Sequence, residues 1–290
     1  MCAGSAAAVK PAPTIEIAPG VFMPQINLGI SNHTLWMEVG GRGLDTALVY
    51  GDQAQAEVGE AVRDSSLSRD AIFVTTKVPC CPATVWEIFC NATGSCAKLG
   101  NDTAQQIKHD LETLGLDYVD LMLLHWPCDT FEESMSAYRA MEDMVEAGTA
   151  RAIGVSNFNA SWLERLYNEA KVKPSINQCA LSIGDHTSPL WGRDDETVEM
   201  SKKLGVTFEA YSPLGGWARG GTGHILNDPT VKSIGEAHNK SAAQVALRWL
   251  VQQDIAVVTA SNDIEYDESD LELWDFVLTD DEMQQLSSIV

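Results

Sequence analysis

The chain reads as an α/β protein built as a (β/α)8 TIM barrel, and three observations predict this. Short β-rich runs alternate with longer segments of helical period, and eight such runs occur in roughly 250 residues, the length of such a barrel. Central runs such as LMLLH (121–125) are apolar on consecutive positions, as expected of a parallel strand covered on both faces. No Gly-x-Gly-x-x-Gly motif follows the first core run, which weakens the doubly wound sheet as the alternative.

Residues 1–12 read as a flexible leader, and 13–290 as a single barrel domain. TIEI (14–17) and VFMP (21–24) flank an Ala-Pro-Gly turn and predict an N-terminal β-hairpin. Core strands are predicted near Ile26–Leu28, Gly43–Asp45, Ile72–Thr76, Tyr118–Leu124, Ala152–Val155, Ile176–Cys179, Thr207–Tyr211 and Ala256–Thr259. Helices fall between them. Ile107, Leu111 and Leu114 are spaced four and three apart, one helical face. Ser241–Gln244 and Thr279–Glu282 are capping boxes that open helices, the second closing the chain. The first crossover, Ser31 to Gly41, is short for a full helix.

Bulk composition narrows the function. The 290 residues carry a formal charge of −22, which repels phosphate backbones and anionic membranes alike, so no nucleic-acid or membrane partner is expected. No apolar run approaches the length of about 18 residues that spans a bilayer. Seven cysteines in a chain without a signal-peptide pattern predict reduced thiols and a cytoplasmic location. Cys80, Cys81, Cys90 and Cys96 cluster, but their spacing does not suit zinc, so they read as loop thiols, with a redox-sensitive pair near the site mouth as the lesser alternative, and no metal is expected.

Asp45, Tyr50, Lys77 and His125 lie where apolar runs meet polar loops, at or just after predicted strands two, three and four. A buried strand that ends on a lone ionisable group is costly unless the group is used. A Tyr hydroxyl, with its ordinary pKa near 10, is too weak an acid near neutrality, and an adjacent ammonium favours its ionised form. Lys77 can supply that charge, Asp45 can pair with Lys77, and His125 can donate to a carbonyl oxygen. The set suits delivery of a proton to an oxygen that becomes an alcohol. Taken singly, each residue has a structural explanation: packing for the Tyr, helix capping for the Asp, a solvated edge for the Lys, a satisfied core position for the His.

With their surroundings these residues resemble the aldo-keto reductase family, from about Gly20 to Leu286. The matching motifs are Gly41-Arg42-x-x-Asp45-Thr46-Ala47-x-x-Tyr50, Glu57-Val58-Gly59, Leu114 to Leu121, His125-Trp126-Pro127, Gly154 to Phe158, Asn177-Gln178 and Tyr211 to Gly215. The resemblance implies a barrel that binds NADP(H) or NAD(H) without a metal and reduces a small-molecule aldehyde or ketone, as a monomer. It implies Tyr50 as proton donor assisted by Lys77 and Asp45, and His125 as the residue that orients the carbonyl. It places Ser156, Asn157 and Gln178 on the nicotinamide carboxamide and Tyr211 against the nicotinamide ring. Ser212, Leu214, Gly215 and Ser261 would lie along the cofactor. Residues 215–221 resemble the belt over it, with Arg219 reaching a phosphate. Trp126, Trp86 and Pro79 are the expected substrate-pocket residues.

The sequence departs from the family pattern in two places. Ala260 and Tyr266 stand where a Lys and an Arg usually clamp the 2′-phosphate of NADP, and Asp270 replaces an Asn. Asp263, Glu265, Asp267 and Glu268 add negative charge nearby. The loss of two cations predicts a reduced NADPH preference. The chain also stops at Val290, with a shortened C-terminal tail that predicts an open pocket. A competing function is a catalytically weak relative that senses or binds the cofactor.

Overall fold

The computed structural model describes residues 12–81, 83–84, 100, 102–215 and 223–289. The N-terminal hairpin forms from β1 (Thr14–Ala18) and β2 (Val21–Pro24). The core strands are β3 (Ile26–Leu28), β4 (Gly43–Asp45), β5 (Phe73–Val78), β6 (Val119–Leu124), β7 (Ala150–Ser156) and β8 (Ile176–Ala180). A two-residue ribbon, β9 (Thr187–Ser188) with β10 (Arg193–Asp194), precedes β11 (Thr207–Tyr211) and β12 (Ala256–Thr259). Strands β3 to β8, β11 and β12 pair in parallel and close into an eight-stranded barrel, β12 returning to β3. The core strands fall where the sequence predicts them, with ends differing by a residue or two. The ribbon was not expected.

The helices among the described residues are α1 (His33–Glu38), α2 (Asp52–Asp64), α3 (Thr103–Leu114), α4 (Phe131–Ala147), α5 (Ala160–Glu169) and α6 (Asp195–Leu204), followed by α7 (Gly223–Asn227), α8 (Pro229–His238), α9 (Ala242–Val251), α10 (Ile264–Asp270) and α11 (Asp280–Ser287). The first crossover is indeed a short helix of six residues. Both capping boxes form, at Ser241 and Thr279, and a third, missed in the sequence, opens α4 at Thr130. No helix among the described residues is long and apolar enough to cross a membrane.

The barrel interior is layered. Its lower end is apolar, with Phe73, Leu121, Leu123, Ala152, Ile176 and Ala256 packed against hairpin residues Ile17, Val21 and Met23. The hairpin therefore stoppers the N-terminal end. Beside it, Asp120 accepts from Val74 N at 2.9 Å and pairs with Arg69 and Arg151 at 2.8 and 2.9 Å, which fixes β5, β6 and β7. Higher up the lumen turns polar. Asn27, Gln178 and Glu209 point inward from β3, β8 and β11, and Gly43 gives them room: a Cβ there would lie 1.7 Å from Asn27 Oδ1.

The expectation of reduced thiols fails at three cysteines. Cys80 and Cys128 form a disulfide, and Cys81 is also disulfide-bonded. The loops after β5 and β6 are neighbours because the strands are, so residues 48 apart in sequence meet. The cytoplasmic expectation rested on reduced thiols and loses that support. Cys179 is free and buried. Cys90 and Cys96, with Trp86, Arg219, leader residues 1–11 and belt residues 216–221, lie outside the described residues.

Candidate active site

Asp45 ends β4, Lys77 is the penultimate residue of β5, and His125 directly follows β6. Tyr50 closes a single 3-10 turn, Leu48–Tyr50, that leads from β4 into α2. All four gather at the C-terminal end of the barrel, where neighbouring strand ends converge. Lys77 Nζ donates to Asp45 Oδ1 at 2.5 Å and to Thr46 O at 2.9 Å, and both side chains are buried. The same ammonium lies 5.5 Å from the centre of the Tyr50 ring and favours the ionised phenol. The His125 ring meets the Tyr50 ring edge-on, 5.9 Å between centroids.

The electrostatics follow from burial as much as from pairing. Burial pushes the Tyr50 phenol up, Lys77 pulls it down, Asp45 pushes it up, and the net position is above the ordinary value. The sequence reading had the sign of the Lys77 effect but not the larger opposing cost of burial. Burial works against a charged Lys77, yet Asp45 and Tyr50 outweigh it and hold the ammonium above its usual range. Burial, and then Lys77, hold His125 well below 6.5, so its ring is neutral near neutrality. His125 Nδ1 is buried without a hydrogen-bond partner among the described residues.

Beneath this cluster lies a support that the sequence did not announce. Thr46 and Asp110 both hydrogen-bond Gln55, and Thr76 Oγ1 bonds Asp110 Oδ2 at 2.9 Å. Gln55 is on α2 and Asp110 on α3, so two helices are tied to the ends of β4 and β5, which carry Asp45 and Lys77. A buried polar network of this kind, when satisfied, fixes one arrangement.

The predicted cofactor residues converge on the same rim. Asn157 and Ser212, which follow β7 and β11, adopt left-handed backbone with φ of 65° and 52°, uncommon for residues other than glycine. Asn157 Nδ2 donates to His125 O at 2.9 Å, and its Oδ1 accepts from Tyr211 at 2.8 Å. The cap of α5 is Asn159, which accepts from Trp162 N. Ser156 Oγ donates to Gln178 O at 2.7 Å. Gln178 Nε2 is shared between Asp45 Oδ2 and Glu209 Oε2, at 2.9 and 2.8 Å. Tyr211, Ser212, Leu214 and Gly215 are half-exposed at this rim.

Two expected pocket residues are placed differently. Trp126 is 2% exposed, donates its indole N–H to Cys80 O at 2.9 Å and packs 4.6 Å from the His125 ring. It buttresses the histidine. Pro79 is likewise buried.

At the other end of the rim, Ala260 is exposed and Tyr266 is 65% exposed. Asp270 turns inward to accept from Thr259 Oγ1 at 2.9 Å, and burial pushes its carboxyl up to about 7. Asp263 caps α10 by accepting from Glu265 N, and Ser261 Oγ is held by Asp263. Ser31 Oγ meets Asn262 Oδ1 at 3.2 Å across the strand ends. No cluster of metal-ligating side chains occurs among the described residues.

A phenol, an ammonium–carboxylate pair and a neutral imidazole stand together at the C-terminal end of a closed parallel barrel. The Aldo/keto reductase family model matches residues 32–290, and the chain belongs to that family. It is 35% identical to morphine 6-dehydrogenase of Pseudomonas putida over 96% of this chain and 91% of that protein. It is 33% identical to the 9,11-endoperoxide prostaglandin H2 reductase of Trypanosoma cruzi, covering 95% and 90%. Among solved structures, an aldo-keto reductase from a Medee basin deep-sea metagenome library aligns with a TM-score of 0.80 at 31% identity, over 95% of this chain and 94% of that one. The Bombyx mori aldo-keto reductase in complex with NADP aligns with a TM-score of 0.79 at 28% identity, over 97% and 93%. The chain is accordingly an NAD(P)-dependent oxidoreductase of carbonyl compounds.

Proposed function

We propose that this chain reduces aldehydes or ketones to alcohols with Tyr50 as the proton donor. The observation that carries the reading is the buried Lys77 ammonium, held by Asp45 at 2.5 Å and placed 5.5 Å from the centre of the Tyr50 ring. A reduced nicotinamide, when bound, supplies the hydride; Ser156, Asn157, Gln178 and Tyr211 are the residues to hold its ring. Tyr50 gives its proton to the carbonyl oxygen, and Lys77 stabilises the phenolate left behind. Asp45 keeps that ammonium in place, since a lone buried cation would be costly. Neutral His125 donates to the same oxygen and orients it.

The adenosine end supports a lean towards NADH. No cation stands at Ala260 or Tyr266, and exposed Asp263, Glu265 and Glu268 surround the start of α10, where a 2′-phosphate would meet like charge. Serving a free ribose hydroxyl suits carboxylates better.

The test is to mix purified chain with a reactive aldehyde and NADH or NADPH and follow nicotinamide absorbance. Tyr50→Phe should abolish turnover while leaving quenching of protein fluorescence by the cofactor intact. Cofactor binding with no turnover on a broad panel of aldehydes and ketones would sink this reading in favour of a cofactor-sensing barrel.

A further inference from the structure

Glu209 is fully buried in the barrel lumen, on the inward face of β11. Its Oε1 accepts from Asn27 Nδ2 at 2.8 Å and its Oε2 from Gln178 Nε2 at 2.8 Å. That same Gln178 nitrogen donates to Asp45 Oδ2 at 2.9 Å. Two carboxylates thus hang from one amide nitrogen, and one of them is the partner of Lys77. Across from Glu209, β4 presents Asp45, β5 presents Lys77, and β3 and β8 present the amides of Asn27 and Gln178; β12 sets Ala256 opposite it in register. Two buried carboxylates against one ammonium leave an excess negative charge in a lumen closed below by the apolar layer, an arrangement that favours a proton on one of them. Asp45 is committed to Lys77 at 2.5 Å, so the proton falls to Glu209. Asn27 Nδ2 also donates to Pro24 O at 3.1 Å, which holds the amide with its N–H towards Glu209.

We propose that Glu209 is a proton-holding positioning residue for the Lys77–Tyr50 pair: neutral, it leaves the ammonium to Asp45 and the phenol; ionised, it draws on that ammonium and makes Tyr50 a weaker acid. The proposal rests on the reading of Tyr50 as proton donor. The position of the carboxyl agrees with it. Burial and the Asp45 charge push Glu209 up to about 7, against the pull of Gln178, Lys77 and Asn27.

Two measurements test this, one of them independent of turnover. Infrared difference spectra of wild type against Glu209→Gln should show a protonated carboxyl band on the acid side of neutrality that disappears on the alkaline side. Should the variant fail to fold, carbon-13 spectra of wild type labelled at the glutamate carboxyls should show one glutamate titrating near neutrality. Single-turnover reduction by wild type should slow about fivefold as pH rises through that titration, while Glu209→Gln gives a flat profile. Absence of the band and of a glutamate titrating near neutrality overturns the proposal, and so does an unchanged rate profile in the Gln variant. A wild type that shows the titration but turns over nothing refutes the reductase reading alone.

Discussion

Cys80 and Cys128 are joined by a disulfide, and the bond ties the loop after the Lys77 strand to the loop after His125. The Trp126 indole repeats the tie by donating to Cys80 O. Bridging residues 48 apart restricts the unfolded chain, so loss of this bond in Cys128→Ser should lower stability by about 2–4 kcal/mol, and reduction of wild type, which also breaks the bond of Cys81, by at least as much. Urea unfolding with and without a phosphine reductant measures it, with alkylation to count thiols. Coincident midpoints despite full reduction would remove the brace from the account.

Lys77 is the sole cation that Asp45 meets in the hydrogen bonds of the described cluster. Lys77→Met leaves that carboxylate buried and uncompensated, which should cost about 3–5 kcal/mol of stability. The same change removes the group that pulls the Tyr50 phenol down, so burial is left unopposed and the reductive step should slow about 10²–10⁴-fold. Adding Asp45→Asn should restore much of the stability and none of the rate. Denaturant melts and single-turnover rates on the three variants decide it; a Lys77→Met protein as stable as wild type would contradict the pairing argument.

Cofactor choice turns on charge at the rim. Ala260→Lys with Tyr266→Arg introduces two cations beside an exposed acidic turn. The double variant should bind NADPH about tenfold more tightly relative to NADH than wild type does. Fluorescence titration with each cofactor reads the ratio. Wild type that already favours NADPH tenfold would defeat the prediction.

The barrel was legible because its strands are short, apolar and punctuated by turn residues, and because Asp45, Lys77 and His125 break the apolar pattern at strand ends. Asp45 and Lys77 could be paired on charge alone. The net rise at Tyr50 could not be read, since it depends on how completely the barrel encloses the phenol. Glu209 was hidden inside TFEAY, where a single acid in a strand looks like a solvent-facing position. The usable signal was alternation: Glu209 and Tyr211 share a face, and Tyr211 was already assigned to the inner rim. The disulfide was missed because sequence spacing says nothing about which loops β5 and β6 bring side by side. Trp126 was assigned to the pocket by resemblance, but the carbonyl of Cys80 claims its indole N–H.

Asp110 offers a stability test with a definite sign. Burial pushes its carboxyl up to about 7 from an unfolded value of 3.8, against hydrogen bonds from Thr76 and Gln55. A carboxyl raised on folding stabilises the protein while it holds its proton. That contribution is full below 3.8 and is lost as pH rises through about 7. Its size is at most about 4 kcal/mol. His125 titrates in the opposite sense, because its folded value lies below 6.5 and its contribution is lost on acidification. Absolute stability therefore mixes these with the raised carboxyls of Glu209 and Asp270, but the difference between Asp110→Asn and wild type cancels all but Asp110. The amide copies the protonated carboxyl at every pH. Asp110→Asn should thus gain on wild type steadily as pH rises from about 4 to above 7, and the gain should then level off. Urea unfolding of both proteins across that range measures it, and a difference that stays constant with pH would show that Asp110 folds in its ionised form.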